Sequence, residues 1–335
     1  MIMPSKNALP KLEDVAARAG VSAATVSRFY NNPQVVAPAT AKRIRAAIEA
    51  TGYVPNLIAG GLASNRSRLV AVLVPDVAQS IFNDTIEAMT SELARDGNTV
   101  MLGLTGADNA HMVGLIDAAL SRRVEALILT GVVTDAATRR RLRQRGVTVI
   151  ETWGIPDDPI DAVVGFSHLT AGREIAAFLL GRGYARPLLA TAESPRARQR
   201  RDGFIQTWTA AGRKSPQVHA LSFPTRLAHA RAVWHYYSES AARPDVIVCS
   251  SDLLAQGVII EALSAGLRVP HDVAVVGFGN LAISGDMRPS ITTMDIDGAR
   301  MGREAVDLLR RRAAGNLPPG TVIDVGHRLI ARESA

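Results

Sequence analysis

From Leu69 onward, apolar runs of strand length alternate with amphipathic stretches of helical length. The runs are 70–74, 99–103, 126–130, 147–151, 188–191, 246–250 and 273–278, and helical periodicity covers 84–95, 112–122, 136–145, 171–181, 198–211, 228–240 and 253–265. Runs of continuous Val, Ile and Leu are those of strands buried on both faces. Each followed by a helix, they predict parallel sheets covered by helices on both sides. So many units do not fit comfortably in one sheet, so the pattern implies two doubly wound subdomains with a cleft between them. Ligands of such sheets bind beyond the carboxyl ends of the strands. That directs attention to 75–83, 165–171, 194–203, 250–252 and 277–281.

The first part of the chain follows a different rule. Leu12, Val15, Ala16 and Ala19 recur at helical spacing, and Gly20 ends that helix where a positive φ is needed. Ser22 is placed to cap a second helix. Val26 and Tyr30, one turn apart, can pack back on the first helix and leave Ala23, Ala24, Ser27 and Arg28 on a free face. Pro38 suits the first position of a third helix carrying Ile44, Ala47, Ile48 and Thr51, which Gly52 stops. This is a helix-turn-helix pattern, whose second helix enters a DNA major groove.

Charge points the same way. Up to Ser67, Lys6, Lys11, Arg18, Arg28, Lys42, Arg43, Arg45 and Arg66 face only Glu13, Asp14 and Glu49, a surplus of five out of the formal +7 of the whole chain. Such cations displace counterions from phosphates and supply sequence-independent affinity. They interleave with a compact apolar pattern and form no basic amphipathic stripe, which argues against a membrane surface. No run is apolar enough to span a bilayer, and the N-terminus has no apolar signal region. Cys249, the single cysteine, sits in an apolar run and cannot form an internal disulfide. A cytoplasmic, nucleoid-associated protein is expected. Its 335 residues allow two or three domains, and 47% hydrophobic residues with 4% aromatics suggest aliphatic packing.

Residues 55–67 join the two parts. Leu57, Ile58, Ala59, Leu62 and Ala63 have helical spacing, but Gly60 and Gly61 each cost about 1 kcal/mol in a helix interior. Alone this is a marginal helix. Against DNA it can fold, with Leu62 as a wedge in the minor groove.

No catalytic constellation is apparent. His229 and His235 are six apart and do not share a helical face, so no metal site is expected. There is no Walker A sequence. Gly277-Phe278-Gly279 lacks the third glycine of a dinucleotide site, and Gly165-Phe166-Ser167-His168 lacks the closing glycine of a nucleophile elbow. Asp295 and Asp297 read as turn and hinge residues. No cofactor is expected. The rival class, an enzyme acting on a sugar with a fused DNA-binding headpiece, would need a phosphate loop or a nucleophile–base pair.

The chain resembles the lactose/galactose-repressor family of bacterial transcription regulators over essentially its whole length. The residues carrying the resemblance are Leu12-Glu13-Asp14-Val15-Ala16, Gly20-Val21-Ser22, Thr25-Val26-Ser27-Arg28, Gly52-Tyr53-Val54-Pro55-Asn56, Leu62-Ala63, Val275-Val276-Gly277-Phe278 and Ile291-Thr292-Thr293. The stretch from Pro55 to Asp84 is most similar to the gluconate-operon repressor branch. The resemblance implies an all-α headpiece (10–55), a hinge (56–67) and a periplasmic-binding-protein-like core (68–335). Its N-subdomain would comprise about 68–166 and 297–322, and its C-subdomain 167–296 and 323–335, joined by three crossovers. It also implies a homodimer on a pseudopalindromic operator, contacted by Ser22, Ala23, Ala24, Thr25, Ser27, Arg28 and Thr40, with Asn56, Ala59 and Leu62 in the hinge. Alanines at 23 and 24, where larger polar residues are frequent, leave Arg28 as the direct base reader. Ala37 replaces the usual serine before the third helix. The effector would meet Phe82, Ser167, Arg200, Ser251, Asp252 and Asn280. Gly279 stands where an aspartate is frequent, while the 196–201 stretch is basic. Together these favour a small sugar acid, gluconate or a phosphorylated relative, with Arg200 on its carboxylate and Phe82 on its carbon chain.

Overall fold

A computed structural model describes residues 9–54, 67–77, 80–106 and 109–335. The chain divides after Ser67 into two units. The first holds helices α1 (Leu12–Ala19), α2 (Ala23–Asn31) and α3 (Pro38–Thr51). Gly20, at φ +64°, ends α1 and donates its N–H to the Ala17 carbonyl at 3.3 Å. At the start of α1 the Asp14 carboxylate accepts the Lys11 N–H at 2.7 Å, and at the start of α2 Ser22 Oγ accepts that of Thr25 at 3.2 Å. These side chains satisfy backbone donors that a helix start otherwise leaves unpaired. Val15, Val26 and Ile44 are fully buried at the centre, and Ala16, Ala19, Ala41 and Ala47 let the helices approach closely. Tyr30 is flanked edge-on by Phe29 and Tyr53, with ring centroids at 5.8 and 6.2 Å.

The second unit begins with β1 (Leu69–Val74), α4 (Asn83–Arg95), β2 (Thr99–Leu104), α5 (Met112–Ser121), β3 (Ala126–Thr130), α6 (Ala136–Arg145), β4 (Thr148–Thr152) and β5 (Ala162–Gly165). It continues with α7 (His168–Gly181), β6 (Pro187–Ala192), α8 (Pro195–Ala210), β7 (Gln217–Leu221), α9 (Ala230–Glu239), β8 (Val246–Cys249), α10 (Asp252–Ser264), β9 (Ala274–Phe278), α11 (Ala282–Asp286) and β10 (Thr292–Asp295). Helix α12 (Gly298–Ala313) and strands β11 (Thr321–Asp324) and β12 (Arg328–Ile330) complete it. One sheet runs β2-β1-β3-β4-β5-β11 and is parallel throughout; the other runs β7-β6-β8-β9-β10-β12, with β12 antiparallel. The chain crosses between sheets at 165–168, 295–298 and 324–328. In each sheet the strand order reverses beside its first strand, β1 or β6, so both have a switch point where a crevice opens beyond the carboxyl ends. Among the described residues no helix is long and apolar enough to cross a membrane.

The two-subdomain α/β architecture is the one the apolar runs predict. Helices α7, α8 and α10 begin before their apolar periodicity does, at the caps Ser167, Ser194 and Ser251, whose hydroxyls accept N–H groups from Thr170, Ala197 and Leu254. Strand β7 escapes the apolar-run criterion because alternate residues are exposed, as on a sheet edge. Strand β5 is buried but only four residues long, and α12 was not among the expected helices.

Helices α7 and α8 cross at two glycines. A Cβ on Gly172 would lie 1.9 Å from the Arg200 carbonyl oxygen, and one on Gly203 would lie 2.1 Å from that of Leu169. The backbones touch, and that contact sets where α8 carries its arginines. Overpacking costs about 1–3 kcal/mol, so Gly203→Ala is expected to destabilise the core by at least the upper part of that range, measured by urea denaturation. Unchanged stability would mean that α8 can slide freely.

Candidate functional site

On the first unit, Ser22, Ala24 and Arg28 are exposed along one side of α2, with Lys42, Arg43 and Arg45 exposed on α3. Arg45 lies 5.7 Å from the centre of the Phe29 ring. Ala23 turns partly inward against the core, so Ala24 is the alanine this surface presents. The Thr25 hydroxyl is engaged with Ser22 Oγ at 2.8 Å. Ser27 and Thr40 are half-buried. Asn56, Ala59 and Leu62 lie outside the described residues.

In the core, side chains from the carboxyl ends of both sheets converge between the subdomains. Phe82 meets Trp153 edge-on with centroids 5.0 Å apart. The Arg196 guanidinium lies 5.2 Å from the Phe82 ring, and that of Arg200 lies 3.9 Å over Phe278. Arg200 Nη1 donates to His168 Nδ1 at 3.1 Å and Nη2 to the Ser250 carbonyl at 3.2 Å. His168 Nε2 lies 2.8 Å from the Trp153 carbonyl. Arginine only donates and a carbonyl only accepts, so His168 is the neutral Nε2–H tautomer. Burial, with Arg200 and Arg196 nearby, pushes its pKa well below the ordinary value.

Neither arginine has an ion-pair partner among the described residues. Burial depresses the pKa of Arg196 to about 10; burial and then Arg196 depress that of Arg200 to about 9. Both therefore remain charged near neutrality. Trp153 Nε1, Arg196 Nη1 and Ser250 Oγ are buried without a hydrogen-bond partner among the described residues. Buried polar atoms are paired in the great majority of cases, so three orphans gathered here single out the cleft as the candidate binding place. Two cavities share Trp153, Ser194, Arg196 and Phe223 in their walls. One of about 40 Å³ reaches Phe82, His168 and Arg200; the other, about 580 Å³, extends over the ends of β3 and β4.

Several expected contacts are corrected by this geometry. Asp252 is fully buried, and its carboxylate accepts from Thr293 Oγ1 at 2.6 Å, Ser284 Oγ at 2.7 Å and the Leu281 N–H at 2.8 Å. It organises the ends of β9 and β10 and does not face the cleft. A Cβ on Gly277 would lie 2.1 Å from Asp252 Oδ1, which is why that position is glycine. Asn280, at φ +50°, spends its amide on Asp295 and Arg332, at 2.9 and 2.7 Å. The Ser167 hydroxyl caps α7 and lines neither cavity. Ser251 lines the smaller cavity, with its hydroxyl 3.0 Å from that of Thr225. Phe82 and Arg200 stand in the cavity wall. The site also uses Arg196, Trp153 and His168, which the sequence did not assign. Arg196 lay in the noted basic stretch, and Trp153 directly follows a strand, the position where ligand contacts are expected.

An all-α headpiece with a basic exposed face and a two-subdomain core with an unsatisfied cleft together define a ligand-responsive DNA-binding protein. Residues 11–56 match the family described as "Bacterial regulatory proteins, lacI family" and residues 176–335 the "Periplasmic binding protein-like domain". The HTH-type transcriptional regulator GntR of Pseudomonas aeruginosa is 33% identical over 97% of this chain and 95% of its own length. A LacI-family transcriptional regulator from Silicibacter pomeroyi superposes with a TM-score of 0.88 at 30% identity, over 97% of this chain and 99% of that one. The lac repressor dimer, solved with operator and an anti-inducer, shares the fold at a TM-score of 0.82 and 24% identity, over 98% of this chain and 99% of that one. The chain belongs to the lacI family of bacterial regulatory proteins. It is a DNA-binding transcriptional regulator, and its relatives are regulators and not enzymes.

The buried His168 ties stability to pH. Unfolded, it takes up a proton near its ordinary value of 6.5; folded, it does so only well below. Its contribution is intact above about pH 6.5 and is lost as pH falls through the folded value. Thermal melts between pH 7.5 and 5 should show acid sensitivity that is reduced in His168→Gln. Equal pH dependence of the two proteins would contradict the assignment.

Proposed function

We propose that this regulator is a repressor of sugar-acid catabolism, released from its operator when a small sugar acid of the gluconate type enters the cleft. The observation that carries the reading is the pair Arg196 and Arg200. These guanidinium groups lie in one cleft with no carboxylate partner among the described residues, beside the orphaned Trp153 and Ser250 donors. A carboxylate satisfies two guanidinium forks by charge-assisted hydrogen bonds, which a neutral sugar cannot do. Phe82 and Trp153 offer an apolar wall for the carbon chain. The GntR name of the Pseudomonas aeruginosa relative supports the same class. In this reading residues 10–55 dock on DNA, 56–67 form the hinge, and the core dimerises so that two headpieces match a pseudopalindromic operator. The protein acts in the cytoplasm, where the operator is. By linkage, operator weakens effector binding by the same factor as effector weakens operator binding.

Titration calorimetry with gluconate and glucose tests the ligand. Gluconate should bind more tightly, and Arg196→Ala and Arg200→Ala should each cost about 1.5–3 kcal/mol of that binding. Tighter binding of glucose, or gluconate affinity indifferent to both arginines, overturns the reading.

Arg28 is the proposed base reader, bidentate to a guanine. Arg28→Ala should cost about 1–3 kcal/mol on the operator and relax specificity at one base pair. Anisotropy titrations with operator and random duplexes measure this; an unchanged affinity ratio would exclude base reading by Arg28.

A further inference from the structure

The larger cavity is lined by two chemically different sets of groups. Two of them are donors without partners. Trp153 is 2% exposed, and its indole N–H has no partner among the described residues. Arg196 Nη1 is also unpartnered, and it reaches across from α8 to the end of β3, where a Cβ added to Gly131 would sit 3.7 Å away. Neither side chain can accept a hydrogen bond, so a ligand must present acceptors here.

The second set carries acceptors. Asp135 and Asp157 line the same cavity. Asp135 lies four residues beyond Gly131, within about 14 Å along the chain. It caps α6, with Oδ2 receiving the Thr138 N–H at 2.6 Å and the carboxylate also meeting the Thr138 hydroxyl and the Ala137 N–H. A carboxylate has about four acceptor sites, so it can still take a ligand hydroxyl. Hydrogen bonds from Thr138 hold its pKa below the usual carboxylate range, so it is charged near neutrality. Asp157 is exposed and has no ion pair among the described residues. The remaining charged group in the wall, Arg198, pairs with Glu193 at 3.4 Å. Arg140, on α6, acts electrostatically on Asp135 but does not line the cavity.

We infer that the effector is an unphosphorylated polyhydroxy acid, held with its carboxylate where the two cavities meet, at Arg196 and Trp153 and within reach of Arg200, and with its hydroxyls in the larger cavity against Asp135 and Asp157. Carboxylates accept from hydroxyls, while a terminal phosphate there would meet two like charges. The inference rests on the sugar-acid reading and adds to it the orientation of the ligand and the exclusion of phosphate esters.

The test is titration calorimetry on the full chain at pH 7.5, with gluconate and its 6-phosphate ester as probes. Wild type should prefer gluconate by about tenfold or more. Asp135→Asn keeps the helix cap, since Asn caps as well as Asp, and Asp157→Asn alters an exposed position. Each should narrow the gap by raising affinity for the phosphate ester, and the double variant should narrow it most. Equal or tighter binding of the phosphate ester by wild type overturns the inference, as does a gap unchanged in the double variant. Both results leave the sugar-acid reading standing if gluconate still binds through Arg196. Failure of both probes to bind overturns that reading and this inference with it.

Discussion

A pair of cations without an anion organises the centre of this molecule. Arg196 and Arg200 are largely withdrawn from water; the acceptors that Arg200 meets are a neutral imidazole and the Ser250 carbonyl, and Arg196 Nη1 meets none among the described residues. Removing a charge from water costs several kcal/mol even after relaxation. Here the cost is only partly offset by the Phe82 and Phe278 rings and by the His168 and Ser250 acceptors. The folded core therefore carries a standing demand for negative charge. A bound anion lowers the free energy of whichever cleft geometry lets both guanidinium groups reach it. That differential stabilisation is what a ligand needs in order to shift a conformational equilibrium.

Maintaining such a site requires a rigid mount. The backbone contact of α7 and α8 at Gly172 and Gly203 leaves no room for even a methyl group, so helix α8 has a fixed place relative to the sheet. His168 stands at the first turn of α7 and holds the Trp153 carbonyl, which belongs to the other sheet. One hydrogen-bonded chain thus runs from Ser250 through Arg200 and His168 to Trp153, linking the two subdomains through the ligand position. An anion that draws Arg200 away from His168 changes a contact shared by both halves.

The headpiece works by a different economy. Its core is three fully buried aliphatic side chains and a set of alanines, closed by caps and by glycines in the left-handed conformation. So small a core keeps its polar residues on the surface. The basic side chains of α2 and α3 are free to meet phosphates, and the affinity they bring is general. In the proposed docking, selectivity is left to few groups, because the side chains at 23 and 24 offer methyl groups and no hydrogen bonds.

Period and punctuation were legible in the sequence. Apolar runs located the central strands, glycine and proline located the helix ends of the headpiece, and charge separated the basic first part from the rest. These are local properties, written within a few residues of where they act. What faces the cleft was not local. Asp252 has the residue type and position of a ligand contact, yet it is turned inward, because three donors from 281, 284 and 293 close on it only when β9 and β10 are adjacent. Asn280 is drawn off in the same way by Asp295 and Arg332. Arg196 and Trp153 become candidate site residues because the first turn of α8 carries Arg196 to the end of β3, next to the strand that Trp153 follows. A side chain's partners depend on which elements the sheet order brings together. The sequence alone determined most of the central elements and the kind of partner the headpiece meets; the tertiary structure decided which charges remain unsatisfied, and hence where a ligand is proposed to bind.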